Sequence, residues 1–163
     1  MARVSFMKQF PDGMPTHFME KILCRDTSMA APGYEKYVSE FLMTRPIDVK
    51  IAPKLHTIRK SAHLQKYVGK DVECFYWKDK PYQSKHQVWG KVRIDGVQHI
   101  KIKWNDETGR ENYPTIHIDG KAISTNDYLR LSVNDGFENF TKFAQWFKED
   151  FTGYIYHFTK LRY

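Results

Sequence analysis

Cysteine is scarce in this chain of 163 residues, which has only Cys24 and Cys74 and no Cys-x-x-Cys pair. Two isolated cysteines argue against a disulfide between them and predict a reducing compartment, so we expect a cytoplasmic protein. None of the seven histidines stands at metal-ligand spacing from a cysteine or from another histidine. The sequence therefore predicts no zinc site, and we expect no metal or cofactor.

Long hydrophobic runs are also missing. No window approaches the roughly eighteen apolar residues of a membrane-spanning helix, and no hydrophobic run of the secretory-signal type follows Arg3. Internal repeats and low-complexity linkers are absent as well. We therefore expect a single domain over residues 1–163 and no membrane partner.

Acidic residues are too few to balance the basic ones, which leaves a net charge of +7. The excess comes from residues 50–103, which hold thirteen Lys and Arg against four Asp and Glu, whereas the rest of the chain sums to −2. Such asymmetry fits a polyanionic partner such as RNA. Charge of this kind also serves solubility alone, and composition does not separate the two interpretations.

The most unusual stretch covers residues 54–60, KLHTIRK, and follows a proline. Proline disfavours helix in the residue before it, so an extended conformation is expected here. Alternation would then place His56 and Ile58 on one face and Thr57 and Arg59 on the other. The stretch is mostly polar, so it either lies in solvent as a basic loop or lines a pocket that binds a polar ligand.

Hydrophobic periodicity and turn residues divide the chain into both helices and strands, which indicates the α+β class. Helices are predicted at residues 15–23, 34–43, 124–131 and 139–149. Strands are predicted at residues 3–7, 71–77, 88–94, 98–104, 113–118 and 154–159. Ser124 is expected to cap the third helix, and Gly153 is expected to end the fourth.

The clearest local motif is a β-hairpin, in which the strands at 88–94 and 98–104 flank the turn dipeptide Asp95-Gly96. Alternation buries one face of this hairpin, which carries Val88, Val92 and Ile94 together with Ile100, Ile102 and Trp104. The opposite face would present Trp89, Lys91, Arg93, His99, Lys101 and Lys103. We expect this aromatic and cationic face to contact nucleic acid.

A family resemblance enters with these residues. The pattern Lys54-x-x-Thr57-Ile58-Arg59 resembles the signature of the ASCH family, a branch of the PUA-like superfamily. The segment Asp135-Gly136-Phe137 resembles the acidic-Gly-aromatic motif of this family, and the last twenty or so residues are similar to its phage and prophage members. The resemblance implies a PUA-like fold, a small mixed or antiparallel β-barrel with helices packed at its mouth. It also marks residues 24–49 as a helical insertion.

The resemblance further implies a cleft that binds RNA or a modified nucleotide or nucleoside. One enzymatic branch of the family, the acetylcytidine amidohydrolases, uses a Lys, a Thr and a Glu. Lys54 and Thr57 match the first two, and Asp135 stands nearest to the Glu, one methylene shorter. Thr57 would be the nucleophile and Lys54 its base, and Asp135 would either orient the amine or protonate the leaving amide. The neighbouring His56, Arg59 and Lys60 would contact the ligand.

Three hypotheses about function therefore stand. In the first, the cleft binds RNA or a modified nucleotide, and the cationic hairpin face matters most. In the second, the protein is an amidohydrolase of an acylated cytidine or an RNA hydrolase, and Lys54 and Thr57 matter most. In the third, it is a phage-type module that binds a protein partner, whose identity the sequence does not give, through residues 24–49.

Overall fold

A computed structural model of the chain describes residues 2–23, 52–104 and 113–163. The strands are β1 (Arg3–Ser5), β2 (His56–Arg59), β3 (Asp71–Trp77), β4 (His86–Arg93), β5 (Gly96–Lys103), β6 (Thr115–Ile118), β7 (Lys121–Ala122) and β8 (Phe151–His157). The helices are α1 (Phe18–Leu23), α2 (Thr125–Asn134) and α3 (Phe140–Trp146), with a 3-10 helix at Ala62–Tyr67. The helix predicted at 34–43 and the insertion at 24–49 lie outside the described residues.

The described strands form two sheets. The smaller has the order β1-β3-β4, with β1 parallel and β4 antiparallel to β3. The larger is antiparallel throughout, with the order β2-β8-β5-β6-β7. The chain is therefore a mixed α and β protein, as predicted, and the hydrogen-bonded ladders of the described strands do not close into a barrel. None of the described helices has the length and hydrophobicity needed to span a bilayer.

Two hydrophobic cores lie on opposite faces of the β2–β8 pair. One core packs the small sheet against α1, and Tyr156 of β8 belongs to it. The other packs the large sheet against α2 and α3, and Ile58 and Ile155 belong to it. Because successive side chains of a strand point to opposite faces, β2 and β8 supply both cores, and their residues are buried on both sides.

The predicted hairpin of residues 88–104 is wrong, because its two strands belong to different sheets. Strand β4 pairs with β3, whereas β5 pairs along its length with β8, which comes from the end of the chain. The dipeptide Asp95-Gly96 joins the sheets, and the Asp95 N–H donates to the carbonyl of His157 at 2.7 Å. Turn propensity identified a bend here, and the long-range pairing decided where the chain went next.

A β-bulge in β4 also overturns the predicted faces of that strand. Cys74 pairs with Gly90 and the next residue, Phe75, pairs with Val88, so Trp89 has no residue opposite it. The extra residue reverses the alternation, because a one-residue slip exchanges the two faces. As a result Trp89 is buried at 6% exposure, and Val88 is 40% exposed. Trp89 therefore does not join Lys91 and Arg93 on a solvent face.

Smaller differences concern the ends of elements. Helix α1 begins at Phe18 rather than at residue 15, since His17 has a left-handed φ of 54°. Ser124 caps α2 as predicted, and its hydroxyl oxygen accepts from the backbone N–H of Asp127. Gly153 lies inside β8 instead of ending a helix. Glycine is required at this position of the strand, because a Cβ there would stand 2.5 Å from the carbonyl oxygen of Arg59.

Candidate functional site

The end of α2 forms the base of the candidate site. The N–H of Phe137 donates to the carbonyl of Ser132, and the N–H of Gly136 donates to the carbonyl of Val133. These two bonds define a Schellman motif, which needs a left-handed residue at the position that Gly136 occupies with a φ of 93°. The motif turns the chain sharply and brings the carboxylate of Asp135 toward β2.

Two lysines close on this helix end. Lys54 Nζ donates to Asp135 Oδ1 at 2.6 Å and to the carbonyl of the same residue. Lys21 Nζ donates to the carbonyl of Gly136 at 2.5 Å. Cations are favoured at a helix C-terminus, where unpaired carbonyls carry partial negative charge. The contact predicted between Lys54 and Asp135 is therefore present, across 81 positions of the chain.

This ion pair is shielded from solvent, with Lys54 only 1% and Asp135 only 4% exposed. The Lys54 ammonium also lies 4.5 Å from the ring centre of Phe18. Burial lowers the pKa of Lys54 to about 8, although the carboxylate beside it works in the opposite direction. For Asp135, burial raises the pKa, but the charge of Lys54 and the polar contacts with His56 and Lys54 outweigh it and hold that pKa below its usual value.

A chain of polar contacts continues from Asp135 through a histidine to the end of the sequence. His56 Nδ1 lies 3.5 Å from Asp135 Oδ1, and His56 Nε2 lies 2.9 Å from the hydroxyl of Tyr163. That hydroxyl also accepts from the Asn134 amide at 2.8 Å. We call the five residues Lys54, His56, Asn134, Asp135 and Tyr163 the buried cluster.

His157 lies beside the buried cluster without joining it. It is fully buried opposite His56, with a ring-to-ring distance of 5.6 Å. Within the described residues neither of its ring nitrogens has a hydrogen-bond partner. Burial, reinforced by His56 and Arg162, lowers the pKa of His157 to about 3, so the ring stays neutral in the folded protein.

The other residues of the 54–60 stretch diverge from this cluster. Thr57 is buried on the face of β2 opposite to His56, and among the described contacts its side chain makes no hydrogen bond to Lys54 or Asp135. Arg59 donates to the carbonyl of Ser5, and its guanidinium lies 5.2 Å from the ring centre of Phe6. Lys60 is exposed. The stretch is thus neither a solvated loop nor a single pocket wall.

An open pocket of about 370 Å³ lies next to the buried cluster. Its walls carry the rings of Phe6, Phe18, Tyr76 and Trp89. Phe18 contacts the Lys54 ammonium as well, so this ring belongs to both regions. None of the three residues predicted to be catalytic lines this pocket.

Polar groups stand among the pocket's aromatic rings. His17 and Glu20 contact each other at 3.3 Å, and the Lys8 ammonium lies 4.1 Å from the ring centre of Tyr76. Trp89 is 6% exposed, and within the described part of the chain its Nε1–H has no hydrogen-bond partner. Because this nitrogen is itself buried, the part of Trp89 that a ligand in the pocket can meet is the face of its ring and not its N–H.

The four predicted cations of the hairpin occupy two separate sheets. Lys91 and Arg93 are exposed on β4, and Lys101 is exposed on β5. Lys103 binds Asp150 at 2.5 Å on the surface of the larger sheet. They do not form the single cationic face that the hairpin implied.

Sequence reasoning missed most of the pocket and part of the cluster. Phe6, His17 and Glu20 were assigned to an ordinary strand and helix, and Tyr163 to a closing segment. No local pattern marks them, because they become neighbours only through the β1–β3 pairing and the β8 register. Among the described residues, no three His, Cys, Asp or Glu side chains come together as metal ligands would.

Comparisons with known proteins add no relative to this picture. No protein-family model matches the chain, and neither the curated proteins nor the solved structures give a significant match. The interpretation of function therefore depends on the geometry of the chain's own residues.

Proposed function

We propose that the protein binds a nucleobase, as a modified nucleotide or as part of an RNA, in the open pocket beside Phe18. The observation that carries this proposal is the combination of four aromatic rings with the polar side chains of Lys8, His17 and Glu20 in the walls of one open pocket. Aromatic rings stack on the faces of bases, and polar groups at the edges select among them. The net charge of +7 favours a ligand that carries phosphate.

The dimensions of the pocket agree with a ligand of this size. A volume of about 370 Å³ is near the lower end of small-molecule sites, which span roughly 300–1,000 Å³. Glu20 offers an acceptor at one wall, and Lys8 offers a donor. A base with one exocyclic amine and one ring acceptor would use both kinds of group.

A ligand screen followed by fluorescence tests this proposal. Nucleosides, nucleotides and short oligonucleotides would be screened by native mass spectrometry, and the hits titrated against tryptophan emission. Binding in the pocket should change the emission of Trp89, and Trp89→Phe should remove that change. Trp104→Phe is the matched control, because Trp104 bonds to Phe147 and does not line the pocket. A response that survives Trp89→Phe and disappears in the control would place the ligand elsewhere.

Amidohydrolysis of an acylated cytidine is the second candidate function. It is favoured by the lowered pKa of Lys54, about 8, since a lysine that loses its proton near neutral pH can act as a base. Residues 54–59 and 135–137 resemble motifs of the ASCH family, whose fold is a PUA-like barrel, and this resemblance supports the same proposal. This function requires a rearrangement, because Lys54 is held by Asp135 and Thr57 is buried on the face of β2 opposite to His56. All three side chains would have to become accessible to one substrate.

Release of acetate from acetylated cytidine tests this second function. Thr57→Val should abolish release while leaving the fold intact, since valine has the same shape as threonine. Thr152→Val, an exposed threonine on β8, is the matched control. No release at micromolar enzyme over hours would leave the binding proposal alone. The third hypothesis, a protein-interaction surface at residues 24–49, stays a prediction, because those residues lie outside the described part of the chain.

A further inference from the structure

A second aromatic surface lies on the outer face of the small sheet, away from the pocket. Phe75 and Trp77 alternate along β3 with the buried Cys74 and with Tyr76. The rings of Phe75 and Trp77 therefore project from the face of β3 opposite to Cys74 and Tyr76. His86 of β4 is paired with Trp77, and its ring lies 4.9 Å from that of Phe75. These rings form a continuous, partly exposed layer, because Phe75 and Trp77 are also in contact at 5.6 Å.

Tyr82 extends this layer into solvent from the loop between β3 and β4. Its ring lies 5.2 Å from that of Trp77, yet the residue is 88% exposed. Its backbone has a φ of 61°, a conformation that is uncommon for a bulky residue and costs free energy. The loop is tied internally, since the Ser84 hydroxyl donates to the Lys80 carbonyl and accepts from the Asp79 N–H. An ordered loop thus holds an exposed ring in place.

The same face carries an excess of positive charge. Arg3 points outward from β1, and Lys91 and Arg93 point outward from β4. The β3–β4 loop adds three exposed lysines, Lys78, Lys80 and Lys85. Three carboxylates accompany them, on Asp71, Glu73 and Asp79. The six cations outnumber the three carboxylates, so the face is net positive, and one of these carboxylates, that of Glu73, is bound by Arg3 at 2.8 Å.

We propose that the outer face of the β1-β3-β4 sheet binds single-stranded nucleic acid. Bases would stack on Tyr82 and Trp77, and phosphates would contact Lys91, Arg93 and the lysines of the loop. Exposed rings surrounded by cations suit a strand whose bases are unpaired and whose backbone is anionic. A protein partner would suit a larger and less charged apolar patch. This surface does not depend on the pocket, because its side chains leave the opposite face of the sheet from Tyr76.

The first test removes the exposed ring. Fluorescence anisotropy would follow a labelled ten-nucleotide pyrimidine RNA, the same sequence as DNA, and a duplex of equal length. Tyr82→Ala should weaken binding of a single strand by roughly tenfold, which is the lower range for loss of one stacked base. Because Tyr82 is 88% exposed, the substitution leaves the core untouched. Tyr113→Ala is the matched control, since Tyr113 is 57% exposed and precedes β6 of the other sheet.

The second test removes charge. Replacing Lys91 and Arg93 together with Gln should reduce the slope of log affinity against log salt by about 1.4, at roughly 0.7 for each phosphate contact with a single strand. Replacing Lys101 and Lys121, which lie on strands of the other sheet, is the matched control and should leave the slope unchanged.

Several results would overturn the proposal. The proposal would be wrong if neither single strand binds, if the duplex binds with equal affinity, or if Tyr82→Ala leaves the affinity for a single strand unchanged. A change in self-association of Tyr82→Ala, measured by light scattering, would instead assign the face to a second copy of the chain. Nucleoside binding that persists in Tyr82→Ala would keep the pocket proposal intact, so the two proposals fail separately.

Discussion

Two polar regions meet at Phe18, and they differ in whether their side chains are accessible to solvent. On one side, the buried cluster is closed: Lys54 holds Asp135 at 2.6 Å, and the Tyr163 hydroxyl joins His56 to Asn134. On the other side, the pocket is open to solvent, and Trp89 Nε1 has no partner among the described residues. The first arrangement stabilises the fold, whereas the second offers aromatic rings and polar side chains that a ligand can reach.

This difference shows that a conspicuous sequence motif need not mark the accessible site. The stretch at 54–60 is the most unusual in the chain, and its first lysine, Lys54, binds Asp135 at the end of α2. Less conspicuous residues, such as Phe6 and Glu20, line the accessible space. The following substitutions test whether the two regions really divide stability from binding, beginning with the largest expected effect on the free energy of unfolding.

Lys54→Met should cause the greatest loss. Methionine fills a similar volume but leaves the Asp135 carboxylate buried without its counter-ion, which typically costs about 3–5 kcal/mol. Chemical denaturation at pH 7 would measure the change. The double variant Lys54→Met with Asp135→Asn should recover much of the loss, because no buried charge then remains. A single variant within about 1 kcal/mol of the parent protein would show that the pair contributes little.

His157 should make the folded protein sensitive to acid. Below pH ~6.5 the unfolded chain protonates this ring, while the folded protein does not until pH falls to about 3, so the free energy of unfolding decreases over that window. At 1.36 kcal/mol for each pH unit, the loss between pH 6.5 and pH 5 is about 2 kcal/mol. His157→Phe should remove this part of the slope and keep the stability at pH 7, because the ring nitrogens have no described partners.

The control for this pH experiment is His63→Gln, since His63 lies exposed at the surface. Denaturation curves at several pH values between 5 and 7 would be compared for the three proteins. An acid slope that is the same in His157→Phe as in the parent protein would mean that other groups cause it. His56, whose pKa burial also lowers, would be the next residue to change.

Tyr163→Phe should have a smaller effect within the same cluster. The phenyl ring keeps the packing against His56, but the hydroxyl between His56 Nε2 and the Asn134 amide is lost. Two partly buried groups then lack a partner, which predicts a loss of about 1–2 kcal/mol. The measurement is again chemical denaturation, and Tyr113→Phe is the control, because Tyr113 is exposed. Equal effects of the two substitutions would contradict a structural role for the Tyr163 hydroxyl.

Local rules predicted those parts of the fold that depend on nearby residues. Alternation predicted β3 at residues 71–77, and the cap at Ser124 was predicted from the capping-box pattern. The partner of β5 was missed, because a turn dipeptide does not reveal that a strand 50 residues away offers a longer ladder. The bulge at Trp89 was missed for a similar reason, since it exists only relative to β3.

Only the buried cluster of the candidate site was predicted in part from the sequence, and the pocket was not. The contact between Lys54 and Asp135 was expected only from the ASCH resemblance, and burial of the pair could not be deduced from a polar stretch. The pocket arises from four separated segments, around Phe6, Phe18, Tyr76 and Trp89, which the sheet pairing brings together. Composition indicated the cationic character of residues 50–103, but which face each cation occupies depends on the sheet that contains it.

Trp89→Phe should have the smallest effect on stability and a clear effect on binding. The substitution removes an N–H without a described partner along with part of the ring, so the lost packing is offset by relief of the unsatisfied donor. We expect a change in the free energy of unfolding of about 1 kcal/mol or less, below that of Tyr163→Phe. Affinity for the nucleoside found in the screen should fall by roughly tenfold, because stacking area is lost. Calorimetric titration and denaturation on the same preparations would measure both quantities. A large loss of stability with unchanged affinity would reverse the comparison, since it would make the pocket wall part of the core and leave the ligand site to be found elsewhere.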